Sequence, residues 1–274
     1  GNGAGLNGAP SARGVAPGAE LRFYGTDGDM GTDCNTGNMQ VVAAAVDQAI
    51  ADGVDIISMS FHVVEASEPP NNLTYDALIR AQQAGIVVVA SAPNDDSPIR
   101  FPATMNGAVT VESLEPDGTV NQPQATGAAL DIVAPGEQLF GLEVAETDLN
   151  PVWPVSATAA QGNSLATPIV ASAIALSMSA WPEATPNQVL QVLAATSKPL
   201  DGSPAGQGTR NDAWGYGALD LPALIATDPS QFPNVDPYIL ADGPPAPAAP
   251  QPPPPPPPSP PTAGPAPPPR PPPG

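Results

Sequence analysis

Two stretches, "VDIISMSF" at 54–61 and "IVVVASA" at 86–92, carry few polar side chains over the length of a strand. A strand wetted on one face alternates polar and apolar residues, so runs without alternation suit strands covered on both faces. Between them lies "NLTYDALIRAQQAG" (72–85), a helical pattern that stops at Gly85. Strand, helix, strand is the crossover that parallel pairing requires. The alternation extends both ways. A short strand is expected at "AELRFYG" (19–25) and a helix from Asn38, with Met39, Val42, Ala43, Val46 and Ile50 on one face and Gly53 as its stop. Further strands are expected at "AVTVES" and "LDIVAPG". The expected fold is therefore α/β, a doubly wound and mostly parallel sheet.

A second constraint lies at 165–181, "LATPIVASAIALSMSAW", apolar on every side and rich in Ala and Ser. A helix without a polar face has to lie inside the domain, and small side chains let a sheet approach it closely. If the helix starts at or just after Ser164, Pro168 falls in its first turn, where a backbone donor would have no partner anyway. Downstream, "TPNQ" (185–188) opens another helix, with Thr185 as cap, Pro186 at the first position and Gln188 completing a capping box.

Composition marks where this pattern ends. Of 41 prolines, most crowd into the stretch from Gly243 to the C-terminus. Such a segment has neither side chains to bury nor enough backbone donors to pair, so it is expected to run as solvated polyproline II. The domain is placed at 1–238 and a Pro-rich linker or tail at 239–274. A formal charge of −20 excludes nucleic acid and anionic membranes as partners, since both need cationic side chains. The acidic surface is read as a solubility device. Cys34 is the only cysteine and is read as a buried or idle thiol rather than a nucleophile, because "GTDCNTG" offers it no cationic neighbour. No signal peptide and no stretch long enough to span a bilayer is read from the sequence.

Ser164 is the residue with the most chemical promise. A serine at the entrance to a buried helix sits beside backbone amides and a helix dipole that favour developing negative charge. Taken alone, it reads rather as an N-cap with Gly162 beside it for the turn. Asn94, just past a buried strand, reads by itself as a turn residue.

Order along the chain joins these residues. "GVAPGAEL" (14–21), "DIISMSF" (55–61), "GIVVVASAPND" (85–95), "FPAT" (101–104), "DIVAPG" (131–136), "GNSLATP" (162–168) and "WGYGALD" (214–220) form a collinear series. It resembles the subtilisin-like serine peptidases, the subtilases, from just after their catalytic histidine to the end of the domain, covering about residues 14–222. The resemblance implies a subtilisin-like fold, truncated at its N-terminal side, with the buried central helix carrying the nucleophile. Ser164 matches the serine of the family's G-T-S-x-A-x-P motif and would form an acyl-enzyme with a peptide carbonyl. Asn94 matches the side-chain donor of the oxyanion hole. Ser60 and Phe61 match the edge along which substrate backbone pairs. With His62 and Ala92 they would line the pocket for the residue before the scissile bond. The implied partner is a protein or peptide substrate, and the implied location is secreted or cell-envelope, with the Pro-rich tail as a spacer to an envelope anchor.

The sequence departs from the family pattern in several places. The D-[ST]-G and H-G-T motifs that carry the family's aspartate and histidine are not in it, so the stretch by itself is expected to be nearly inert. His62 is the only histidine and stands where the family usually has glycine. It is read as lining the pocket or exposed rather than as a replacement base, since no orienting carboxylate is evident. Pro93 stands where glycine is usual and could displace Asn94. Asn163 replaces threonine. Pro93 and His62 motivate an alternative reading, an inactive pseudo-peptidase that binds peptides or partners. No cofactor is required. Structural calcium is compatible with the family, with "GNGAGLNG" as the loop to hold it, whereas "DGDMGTD" (27–33) lacks calcium-loop spacing and reads as an acidic surface loop. "NLT" (72–74) would be a glycosylation sequon only in a eukaryotic secretory setting.

Overall fold

The computed structural model describes residues 2–4, 10–25, 39–62, 73–120, 124–141, 158–204 and 210–239. Cys34, the loop at 27–33, Asn72 of the sequon and the tail beyond 239 lie outside these residues, as does most of "GNGAGLNG". In chain order the elements are β1 (Asn2–Ala4), β2 (Pro10–Arg13), α1 (Met39–Ala51), β3 (Ile56–Met59), α2 (Leu73–Gln83), β4 (Val87–Ser91), β5 (Val109–Leu114), β6 (Ile132–Pro135), β7 (Leu139–Gly141), β8 (Thr158–Ala160), α3 (Asn163–Ala180), α4 (Pro186–Thr196) and α5 (Leu221–Ala226).

The central sheet is parallel throughout, in the order β3-β4-β5-β6. β1 with β2 and β7 with β8 form separate antiparallel pairs. Helices cover both faces of the sheet. One apolar cluster joins Val87, Val89, Val109, Val111 and Ile132 to α3 and α4 through Val170, Ile174, Val189 and Leu193. A second joins Val88 and Met59 to α1 and α2 through Val46, Tyr75, Leu78 and Ala81. This is the doubly wound arrangement that the uniformly apolar strands require. Every residue of β4 and β5 is buried. β3 is less so: Ile56 and Ile57 are half-buried and Ser58 is exposed. Among the described residues β3 pairs only with β4.

The chain bears out most element boundaries and corrects two. α1 and α2 run as expected, and the chain leaves them at Gly53 (φ +66°) and Gly85 (φ +82°), conformations that glycine adopts without a Cβ penalty. The capping box on α4 is present, with Thr185 Oγ1 accepting from Gln188 N–H and Gln188 Oε1 accepting from Thr185 N–H. The expected strand at 19–25 is instead irregular, with Leu21 92% and Phe23 91% exposed. A strand persists only where a neighbour accepts its ladder bonds, and none of the described strands pairs with it. The second correction concerns α3. It begins at Asn163, which puts Pro168 in the second turn, inside the helix. Proline there leaves the carbonyl four residues earlier without its helical donor. That carbonyl belongs to Ser164, and the Ser60 hydroxyl donates to it at 2.8 Å. At 18 residues α3 has the length and apolar composition of a membrane span. Its apolar residues instead pack on the sheet, α4 and α5.

Close approach at one turn is set by glycine. Gly215 has φ +60°, and a Cβ there would lie 2.1 Å from the Asp131 carbonyl oxygen. That oxygen accepts from Tyr216 N–H at 2.7 Å, tying the turn to the entrance of β6. Two carboxyls are buried in the same sheet. Asp131 accepts from Thr110 N–H at 2.9 Å and faces Arg210, yet burial holds its pKa well above the ordinary value. Glu112 on β5 is 1% exposed, and its Oε2 has no hydrogen-bond partner. Burial raises its pKa to about 8, against the bonds it receives from Asn163 and from the Ser113 and Ala125 backbone.

Two outcomes follow from these contacts. Gly215→Ala is expected to destabilise the domain by about 3 kcal/mol, from the left-handed backbone and the overlap together, as read by urea unfolding. Glu112 holds its proton in the folded state after the unfolded chain has lost it. Its contribution to stability is therefore full below about pH 4.5 and is lost as pH rises through about 8. Glu112→Gln should melt progressively higher than the parent as pH is raised from 5 to 8, and parallel melting curves across that range would refute the assignment.

Candidate active site

β4 ends at Ser91 and α3 begins at Asn163, and the two ends meet. The turn into α3 is glycine-dependent. Gly162, the N-cap, has φ +125°, and a Cβ on it would press on the Asn94 side chain, with Oδ1 at 3.0 Å. Gly136, just after β6, is equally constrained, since a Cβ there would overlap the Ser113 Cβ at 2.5 Å and approach the Gly162 carbonyl at 3.0 Å. Gly162 N–H donates to Gly136 O at 2.9 Å. The glycines of "APG" and "QGN" thus let two backbone turns touch beneath the start of the helix.

Gly162 makes no side-chain cap, so Ser164 is not the capping residue. It is the second residue of α3, half-buried, with its backbone N–H among those of the first turn that have no intrahelical partner. Its hydroxyl makes one long contact, donating to the Ser60 carbonyl at 3.4 Å. The Ser60 hydroxyl reciprocates by donating to the Ser164 carbonyl at 2.8 Å. The nucleophile candidate and the chain just past β3 are therefore joined in both directions, across 104 residues of sequence.

Asn94 is exposed beside them. Its Oδ1 accepts from the Asn163 backbone N–H at 2.8 Å. An amide whose oxygen is fixed by a backbone donor must direct its NH2 the other way, so the Asn163 N–H sets the orientation of Asn94. The structure thus brings Ser60, Ser164 and Asn94 together around the first turn of α3. Ala92 is buried behind them at 3% exposure, and Phe61 is partly exposed at 37%. Pro93 is buried, with its carbonyl accepting from Asn163 Nδ2.

His62 is half-buried at the end of this segment. Among the described residues it makes no hydrogen bond to Ser164. Its influence is felt at Asp95, whose pKa is held low first by hydrogen bonds from Ser97 and, to a smaller extent, by Arg100 and His62. A hydroxyl without a base is a weak nucleophile. These residues bring together a hydroxyl, a helix N-terminus and a side-chain amide, groups that can stabilise a developing negative charge. No group of three or more His, Cys, Asp or Glu side chains converges into a metal cluster among the described residues.

One residue of this site was undervalued by sequence reasoning. Asn163 is 1% exposed, with Oδ1 accepting from Ser113 N–H at 2.8 Å and Nδ2 donating to the carbonyls of Pro93 (2.6 Å) and Ala92 (3.3 Å), and its side chain also lies against Glu112, whose carboxyl it helps to hold lower. The signal available in the sequence was its place next to Ser164 as a departure from the threonine of the motif, which says nothing of three long-range bonds.

Comparison with known proteins identifies the family and the fold. Subtilisin DY of Bacillus licheniformis is 27% identical over 205 residues, covering 73% of this chain and 69% of that protein. A thermostable alkaline protease of Halalkalibacterium halodurans (strain C-125) is 30% identical over 203 residues, covering 74% of this chain and 51% of its relative. The chain thus spans about half to two-thirds of the length of these relatives. Among solved structures, the prenylagaramide maturation protease PagA superposes with a TM-score of 0.57 at 20% identity, over 72% of this chain and 70% of its own, which establishes the shared fold. A model of the subtilase family matches residues 2–217, and the chain belongs to that family.

Proposed function

We propose that this chain is the C-terminal part of the catalytic domain of a serine endopeptidase, with Ser164 as its nucleophile. The observation that carries the reading is the meeting of Ser164 at the start of α3 with Asn94 past β4. In this reading the Ser164 hydroxyl attacks the peptide carbonyl. The carbonyl oxygen becomes an oxyanion, received by Asn94 Nδ2 and the Ser164 backbone N–H, and the amine departs to leave an acyl-enzyme that water hydrolyses. A histidine that takes the hydroxyl proton and returns it to the leaving amine, and the aspartate that orients it, come from residues preceding this chain in a longer protein. Ser60 and Phe61 form the edge for substrate backbone, while His62 and Ala92 border the pocket before the scissile bond. His62 adds bulk there and restricts the side chains accepted. The substrate is a protein or peptide. The protein is secreted or held at the cell envelope, and 239–274 acts as a semi-rigid spacer between the domain and an anchor.

The protein extended through its upstream coding sequence is expected to hydrolyse a peptide p-nitroanilide. Ser164→Ala should reduce kcat by at least about 10^4-fold. Asn94→Ala should reduce it by about 10^2- to 10^3-fold with little change in KM. A Ser164→Ala variant as active as the parent would refute the reading. An inert parent that binds peptides, and whose Ser164 resists an organophosphonate, would instead establish the pseudo-peptidase.

A further inference from the structure

Three backbone groups from two parts of the chain converge on one buried side chain. The Asn163 amide accepts from the Ser113 backbone on β5 and donates to the carbonyls of Ala92 and Pro93, the two residues that lead into Asn94. Its backbone N–H donates to Asn94 Oδ1. Asn163 therefore holds Asn94 twice, once through the backbone that carries it and once through its side-chain oxygen. Ser164 is the next residue. Any shift of Asn163 would move nucleophile and amide donor relative to one another, because no other hydrogen bond among the described residues holds the Asn94 side chain.

We infer that Asn163 is a positioning residue of this active site, whose clasp on Ala92, Pro93 and Ser113 fixes the direction in which the Asn94 amide meets the oxyanion. The inference rests on the peptidase reading above. Pro93 gives the clasp its reason. The Ala92 N–H is tied to the Val111 carbonyl at 2.9 Å, but Pro93 stiffens the chain just before Asn94 and has no N–H of its own to pair, so that residue is held through its carbonyl, and an amide with two donors can hold it together with the carbonyl of Ala92. Threonine offers a single hydroxyl on a branched carbon and cannot bond Ala92, Pro93 and Ser113 at once. In this chain, then, the residue preceding the nucleophile acts through Asn94 rather than on the substrate.

The test uses the extended protein and a peptide p-nitroanilide, with kcat expressed per active site titrated by an organophosphonate, at a temperature well below melting. Asn163→Thr is expected to lower kcat by about 10- to 100-fold, a fraction of the loss of an oxyanion donor, with KM changed less than about threefold. Asn163→Asp, which keeps the size and the acceptor for Ser113 N–H but removes both donors, should show the same split if the threonine variant folds poorly. In Asn94→Ala the effect should vanish, with Asn94→Ala/Asn163→Thr no slower than Asn94→Ala alone within about threefold. Single variants within twofold of the parent, or a double variant that loses the product of both factors, would overturn the inference. A parent without hydrolysis would instead remove the peptidase reading itself, and the clasp's catalytic role with it.

Discussion

The rest of the domain is arranged around the burial of one helix. α3 has no polar side along most of its length, and it packs on the sheet through Ala166, Val170, Ala173 and Ile174, each fully buried. Burying a helix end raises a difficulty, because the first turn carries amide groups without partners. Here the difficulty is met from outside the helix. Asn94 takes the Asn163 N–H, Gly136 takes the Gly162 N–H, and Ser60 supplies the donor that Pro168 withholds from the Ser164 carbonyl. Two of the groups that satisfy the helix end, Asn94 and Ser60, are also residues of the proposed peptidase site, so in that reading stability and chemistry share contacts.

This coincidence explains why the site is tight. Gly136 and Gly162 are placed where a methyl group would meet Ser113, Ala166 or Asn94. Their lack of side chains allows the turns after β6 and before α3 to stack. The buried Glu112, with one oxygen unpaired behind this region, shows a cost of such packing: its charge is expelled toward the neutral form rather than balanced by a cation. Asp131, one strand away, has Arg210 for company and is still held toward neutrality by its burial. Glu112 lies within β5 and Asp131 at the entrance of β6, both almost fully buried, which is why solvent cannot relieve them.

Much of the scaffold could be read from local pattern. The apolar runs at 54–61 and 86–92 became adjacent parallel strands, and Thr185, Pro186 and Gln188 formed their capping box, because each signal depends on residues within a few positions of one another. The strand expected at 19–25 failed for the complementary reason. Its alternation is local, but a strand exists through its neighbours, and Leu21 and Phe23 stand in solvent. Pro168 misled by a few positions because the helix start was set by the Gly162 turn rather than by Ser164.

The sequence by itself determined the parallel α/β architecture, the burial of α3 and the candidacy of Ser164 and Asn94, since hydrophobic period, turn residues and motif order are all written in the linear chain. Only the tertiary structure decided how those two residues face one another. The bonds that set their relation run from Asn163 to Ala92, Pro93, Asn94 and Ser113, between 50 and 71 residues away. A hydrogen bond has direction as well as reach, and at such separations neither is encoded by spacing along the chain.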